Sequence, residues 1–234
     1  MRQGLALNIV KSAAVLAAIV AAALSGGQSF NIDADWAGLP PELGGGVPDP
    51  IFGAAAEQPG VWNSWDASGD PPTRLTGLDG SLTDVVFTGP RGGSANGFNN
   101  PENTGPYAAL LNDGRSLSED TWTFTGLASG IYRLITYAAS PSNNVTNTLV
   151  TVLGAEVESY VVTGPMPGNA FEISKTHSIH QKFVTTGELS VTITEGRDPA
   201  YLNGFQLVQV VPEPATSIIL FAGGIAVLRR RIKP

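Results

Sequence analysis

Thr121-Trp122-Thr123-Phe124-Thr125, Gly126-Leu127-Ala128-Ser129-Gly130, Ile131-Tyr132-Arg133-Leu134-Ile135-Thr136-Tyr137 reads as two β-strands around a glycine-bounded turn. In the second run Tyr132, Leu134 and Thr136 alternate with Ile131, Arg133, Ile135 and Tyr137, so apolar groups fall on both faces, as in an interior strand of a sheet. Working outward, Leu82 to Thr88, Val145 to Leu153, Val157 to Thr163, Thr176 to Thr185, Glu188 to Thr194 and Gly204 to Val211 read as further strands. Glu188 to Thr194 is the plainest half-buried one, with Leu189, Val191 and Ile193 on one side and Ser190, Thr192 and Thr194 on the other. Helical signal is confined to Pro106 to Leu111, stopped by Asn112-Asp113-Gly114. The 28 Gly and 17 Pro punctuate short segments, and no repeat suggests a propeller or solenoid. Short strands about ten residues apart predict an all-β, two-sheet sandwich over residues 30–210.

The flanks obey different rules. Residues 1–29 carry Arg2 and Lys11, an apolar run from Ser12 to Leu24, then small residues at Ser25, Gly26 and Gly27. This predicts a secretory signal peptide helix, cleaved between Ala23 and Ser29. Residues 211–234 contain Val211-Pro212-Glu213-Pro214, an apolar run from Ala215 to Leu228, and Arg229-Arg230-Arg231. Pro-Glu-Pro breaks regular structure and leaves an extended, reachable peptide. The run that follows, at 1.5 Å per residue, covers roughly 21 Å of a hydrocarbon core about 30 Å thick, a short transmembrane helix. The arginines stay on the cytoplasmic side, placing the preceding chain outside the cytoplasm.

Pro212-Glu213-Pro214, the apolar stretch with Gly223-Gly224 and the Arg triplet resemble the C-terminal sorting signal of bacterial PEP-CTERM proteins. The resemblance implies an exosortase-type membrane protease or transpeptidase as partner, cutting at or near Pro-Glu-Pro, with transient hold of the precursor in the membrane. The product would be a cell-surface or extracellular-matrix protein of a bacterium. A looser resemblance joins Gly53 to Asn63, the Phe124-Thr125-Gly126-Leu127 turn and the closing Leu202-Asn203-Gly204-Phe205-Gln206-Leu207-Val208 to galactose-binding-like jelly-roll domains of exported bacterial proteins. It implies a jelly roll and a faint expectation of a sugar ligand.

Charge narrows the partners. Residues 30–210 hold seven Lys or Arg against nineteen Asp or Glu, a net charge of −12. Such a surface repels nucleic acid and anionic lipid. The chain has no cysteine, which excludes disulfides and a lipoprotein signal. Its two histidines, His177 and His180, lie in an extended stretch that sends them to opposite faces, so they do not read as a metal pair. There is no Walker loop, dinucleotide fingerprint or Gly-x-Ser-x-Gly.

Remaining candidates are local. Asp33 with Asp35, and Asp66 with Asp70, are the acidic segments whose oxygens suit a structural calcium, although a solvated turn accounts for each equally simply. No other cofactor is expected. Trp62 and Trp65 are the candidates for stacking on a sugar, with core packing as the competing role. Arg91 to Asn100 carries a bidentate donor in Arg91, an amide in Asn96 and an aromatic in Phe98 on a Gly-rich backbone, or is simply a linker. The sequence therefore predicts an exported, non-catalytic surface or matrix protein whose one reaction is as the substrate of its sorting enzyme. The alternative is a carbohydrate-binding module that tethers the surface or exopolysaccharide to a glycan, and a third is a sandwich enzyme with a carboxylate pair.

Overall fold

In a computed structural model of the chain, the residues described are 27–210, less 37, 67–69, 93, 141, 143–144, 155–159, 164–166 and 198. The leader before residue 27, the Pro-Glu-Pro segment, the apolar run and the Arg triplet lie outside the described residues. Among those that are described, no helix is long and apolar enough to cross a membrane.

The strands around Gly126–Gly130 become β7 (Glu119–Thr125) and β8 (Gly130–Tyr137), and they part company at the turn. β8 enters a five-stranded sheet of order β11-β8-β14-β1-β2, whereas β7 enters a six-stranded sheet of order β10-β9-β12-β7-β4-β3. The first sheet comprises β1 (Ser29–Asp33), β2 (Trp62–Ser64), β8, β11 (His177–Val184) and β14 (Gly204–Val210). The second comprises β3 (Thr73–Thr76), β4 (Leu82–Thr88), β7, β9 (Asn147–Val152), β10 (Tyr160–Thr163) and β12 (Glu188–Arg197). A connection that changes sheet at a glycine turn is how a sandwich puts the inward residues of consecutive strands face to face. A third, three-stranded sheet of order β13-β6-β5 was not anticipated. It is built from β5 (Ser94–Gly97), β6 (Asp113–Leu117) and β13 (Ala200–Leu202). The architecture is an all-β jelly-roll-like sandwich, antiparallel except for the parallel pair β1 and β2.

Alternation fills the space between the sheets. Leu189, Val191 and Ile193 of β12 are fully buried against Trp122 and Phe124 of β7, Phe87 of β4 and Phe205 of β14. Phe205 meets Phe87, Trp122 and Phe124 at ring-centroid distances of 5.8, 5.9 and 6.1 Å, so one side chain ties the two layers together. Burying each such ring stabilises the fold by about 1.5–3 kcal/mol. On the outer side of β12 and β7 the hydroxyls pair across the ladder, Thr121 with Thr192 at 2.8 Å and Thr123 with Ser190 at 3.1 Å.

A second apolar layer covers the outer face of the first sheet. α1 (Pro106–Leu111) lays Leu110 and Leu111 over Ile135, Tyr137 and Val208, and Trp62, Phe52, Tyr107 and Phe171 pack around them. Inward and outward faces of this sheet are therefore both apolar, which is why β8 carries apolar residues at successive positions.

Both described ends of the chain sit at the same end of the sandwich. β1 and β14 pair antiparallel with Ser29 opposite Val208 and Asp33 opposite Gly204. The Gln28 amide donates to the Gln209 side chain (2.7 Å), and the Gln28 side-chain oxygen accepts from the Ala128 amide (2.6 Å) and the Tyr132 hydroxyl (3.0 Å). Gln28 and Val210 thus mark an exit end, and Asp33, Ser64, Tyr137 and Gly204 mark the opposite, distal end.

Candidate functional site

A cleft lies where the two sheets' edges face each other. β2 is the edge of the first sheet and β3 the edge of the second. Towards the exit end they are tied: the Val61 amide donates to the Leu78 carbonyl (3.0 Å), and the Asn63 side chain stands in for a missing strand. Its amide donates to the carbonyls of Asn31 and Thr76 (both 2.9 Å), and its oxygen accepts the Thr76 N–H (2.8 Å). Beyond Asn63 nothing joins Ser64 and Trp65 to Thr73 and Arg74 by hydrogen bonds among the described residues, and a cavity of about 290 Å³ separates them.

Ile32, Leu75 and Phe87 are among the residues that line the cavity, with Trp62 and Trp65 on the β2 side and Thr73, Arg74 and Thr76 on the β3 side. Trp62 and Trp65 are only 5% and 2% exposed, so each gives the cavity a wall and neither presents a free face to bulk solvent. Trp62 packs on Phe52 at 6.3 Å and donates its indole N–H to the Phe52 carbonyl (3.2 Å). Trp65 stands edge-on to Phe87 (6.0 Å) and Trp122 (6.2 Å), and its buried indole N–H has no acceptor. A buried donor left without a partner costs on the order of 1–3 kcal/mol. Arg74 reaches across the β3–β4 pair, with Nε donating to the Thr83 carbonyl (2.9 Å) and Nη2 to Asp84.

Trp62 and Trp65 both line the cleft, but Trp62 belongs to the outer apolar layer and Trp65 to the inner core. Arg91 is exposed in the β4–β5 connection, and Asn96 lies on β5 opposite Gly114 of β6. Neither lines the cleft. The glycine-rich stretch 91–100 is thus partly a strand, and the Gly92 carbonyl is held by the buried Arg115 guanidinium, which also binds Asp120 at 2.8 Å.

The acidic candidates separate into two groups. Asp66 and Asp70 close a small turn, with the Asp66 amide donating to Asp70 (2.9 Å). Asp33 and Asp35 instead join Asp113, which sequence reasoning passed over because Asp113 looked like a helix-stop residue. Asp35 accepts from the Gly46 amide (3.1 Å) and the Ser64 hydroxyl (3.3 Å), and Asp113 accepts the Trp36 N–H (2.8 Å). Asp33 is fully buried with neither carboxyl oxygen hydrogen-bonded. Burial, then the neighbouring Asp113 and Asp35 charges, push its carboxyl well above the usual carboxylate range. Asp113 is pushed up to about 8, chiefly by burial and against the Trp36 N–H. Among the described residues no group of three or more His, Cys, Asp or Glu side chains is placed to hold a metal ion. The two histidines do lie on opposite faces of β11: His180 pairs with Leu134 of the inner core, and His177 packs on Tyr137 and Phe171 in the outer layer.

No protein-family model and no curated protein matches the chain. Among solved structures this β-sandwich is similar to several domains from carbohydrate-active proteins. One is a family GH115 4-O-methyl-α-glucuronidase with specificity for decorated arabinogalactans (12% identity, 63% of this chain and 17% of that one, TM-score 0.30). A second is a CBM35 domain from Cellvibrio japonicus (17% identity, 42% and 67%, TM-score 0.26). A third is a CBM61 domain in complex with β-1,4-galactotriose (12% identity, 55% and 90%, TM-score 0.29). The chain spans less than a fifth of the glucuronidase's length. Identities and TM-scores of this size assign no ligand to it.

Proposed function

We propose that this chain is an exported, non-catalytic surface protein whose sandwich binds a neutral glycan in the cleft between β2 and β3. Its C-terminal segment, Pro212 to Arg231, holds the precursor in a membrane until an exosortase-type enzyme cuts near Pro-Glu-Pro. The observation that carries the binding reading is the cleft itself: a cavity of about 290 Å³ with two tryptophans in its lining. That volume is at the small end of ligand pockets, the scale of a short saccharide. Its rim offers Ser64, Thr73 and Thr76, and its lining contains Arg74 but, among the described residues, no Asp, Glu or His. Hydroxyls can be recognised there, but general acid–base chemistry on a glycosidic bond has no carboxyl pair to work with. The net charge of −12 over residues 30–210 favours a neutral polymer over a polyanion. Display agrees with the topology, because the part of the cleft beyond Asn63 lies toward the distal end, away from where the chain leaves for its tail.

The test is titration of the folded protein with neutral oligosaccharides, with release of reducing ends followed in the same samples. Binding without turnover is expected, and Thr73→Trp, which fills the cleft from an edge strand, should weaken it at least tenfold. Binding that survives Thr73→Trp and is lost in Arg91→Ala would move the site to the 91–100 segment. Failure of the folded protein to bind any neutral glycan would overturn the reading.

A further inference from the structure

The exit end carries an apolar row in register. Val210 of β14 lies directly opposite Ile131 of β8, and Ile131 directly opposite Phe183 of β11. All three point to the outer face of the first sheet, where they are 41%, 37% and 61% exposed. Scattered exposed apolar residues are ordinary, but three cross-strand neighbours form a ledge.

One cation backs this ledge. Arg133 stands one row behind it, between Val208 and Gln181, both uncharged. Its Nε is buried without a hydrogen-bond partner, and among the described residues it forms no ion pair. Among the described residues Arg133 is thus one of the basic side chains left without an acidic partner. It suits an anionic oxygen supplied from outside the domain.

The ledge is also where the chain departs. Only residues 211–214 separate Val210 from the apolar run that begins at Ala215. Five extended steps reach at most about 18 Å, so a bilayer that holds the run lies within that distance of Val210.

We propose that the exit end is a membrane-interface docking site: Ile131, Phe183 and Val210 settle at the acyl boundary while Arg133 takes lipid phosphate. Apolar groups backed by cations are what an interface selects, and two weak signals together give firmer hold than either. The inference rests on the reading of residues 215–228 as a membrane hold. It adds that the sandwich lies against the bilayer in one orientation, with the cleft's distal side pointing away.

The absence of cysteine makes the test direct, because single thiols report single sites. The full chain is reconstituted into phosphatidylcholine vesicles with and without phosphatidylglycerol, carrying a polarity-sensitive fluorophore at Phe183→Cys, Arg91→Cys or Leu220→Cys. The account expects blue-shifted emission and lipid-borne quenching at 183 and 220 but not at 91. Arg133→Gln should lower the phosphatidylglycerol enhancement at 183 severalfold while leaving 220 unchanged. A probe at 220 that enters lipid while 183 behaves like 91 overturns the docking site and spares the membrane hold. A probe at 220 that stays in water overturns both. Protection at 183 without vesicles, rising with protein concentration, would assign the ledge to a second copy of the chain and also overturn the proposal.

Discussion

Asn63→Ala should loosen the sandwich at one seam. The Asn63 side chain makes three hydrogen bonds, two donated to the Asn31 and Thr76 carbonyls and one accepted from the Thr76 N–H. Among the described residues it is the one side chain that bonds the β1–β2 edge of one sheet to β3 of the other, replacing a backbone ladder with an amide. At about 1 kcal/mol net per bond, reduced because the site is half-buried, its removal costs about 2–3 kcal/mol. That is a large fraction of the roughly 5–15 kcal/mol that holds a domain of this kind. With a urea slope of about 2 kcal/mol/M, the unfolding midpoint should fall by about 1–1.5 M. Asn63→Asp should cost at least as much, because it keeps the acceptor for Thr76 but sets a carboxylate against two carbonyl oxygens. Urea titrations followed by tryptophan fluorescence measure both. A midpoint for Asn63→Ala within about 0.3 M of the parent, at unchanged slope, would refute the claim that this amide closes the seam.

Other outcomes follow from the same geometry. The Asp113 carboxyl, raised by burial to about 8, contributes stability that is fully present below its unfolded value near 3.9 and is lost as pH rises through 8. His177, lowered by burial to about 4, contributes the opposite slope, present above 6.5 and lost as pH falls. The two oppose each other between pH 4 and 6.5, so urea midpoints should fall from pH 6.5 to 9, and Asp113→Asn should flatten that fall. Gly89→Ala places a methyl 2.5 Å from Trp65 and 2.6 Å from Trp122. The overpacking should cost about 1–3 kcal/mol and shift the fluorescence maximum, both visible in one melt. Intact-mass and C-terminal peptide spectrometry of protein from its own host should find chains ending near Pro214, or carrying an added mass there, outside the inner membrane. Chains retaining Arg229 to Pro234 in the membrane fraction would argue for a permanent single span.

Much of the sandwich was legible because its strands follow period 2. Leu82–Thr88 is β4 to the residue, and Glu188 to Thr194 alternates in the structure as it does on paper. β1 escaped because Ser-Phe-Asn-Ile-Asp alternates apolar with polar residues that are themselves buried. Asn31 is spoken for by the Gln58 carbonyl and the Gln206 amide, a contact made across 175 residues that no local pattern announces. β6 escaped for a similar reason. Asp-Gly-Arg-Ser-Leu reads as a loop until Arg115 finds Asp120 and Gly114 is seen to lie where a side chain would strike the Leu202 carbonyl. The candidate site was half legible. Trp62 and Trp65 stand out in the sequence, but that both line one cleft depends on β3, a strand the Gly- and Pro-rich flanks concealed. Asp113 could have been suspected only by knowing that β6 delivers it to the end of β1.

The most direct test uses the four tryptophans, whose indole N–H groups give separate resonances in a ¹H–¹⁵N spectrum. During titration with a neutral oligosaccharide that binds, the Trp62 and Trp65 resonances should move furthest, because both residues line the cleft. Trp122, buried in the core away from the lining, should stay still. A saccharide that binds while Trp65 and Trp62 remain unmoved, with shifts confined to residues 91–100, would contradict the assignment of the cleft as the glycan site.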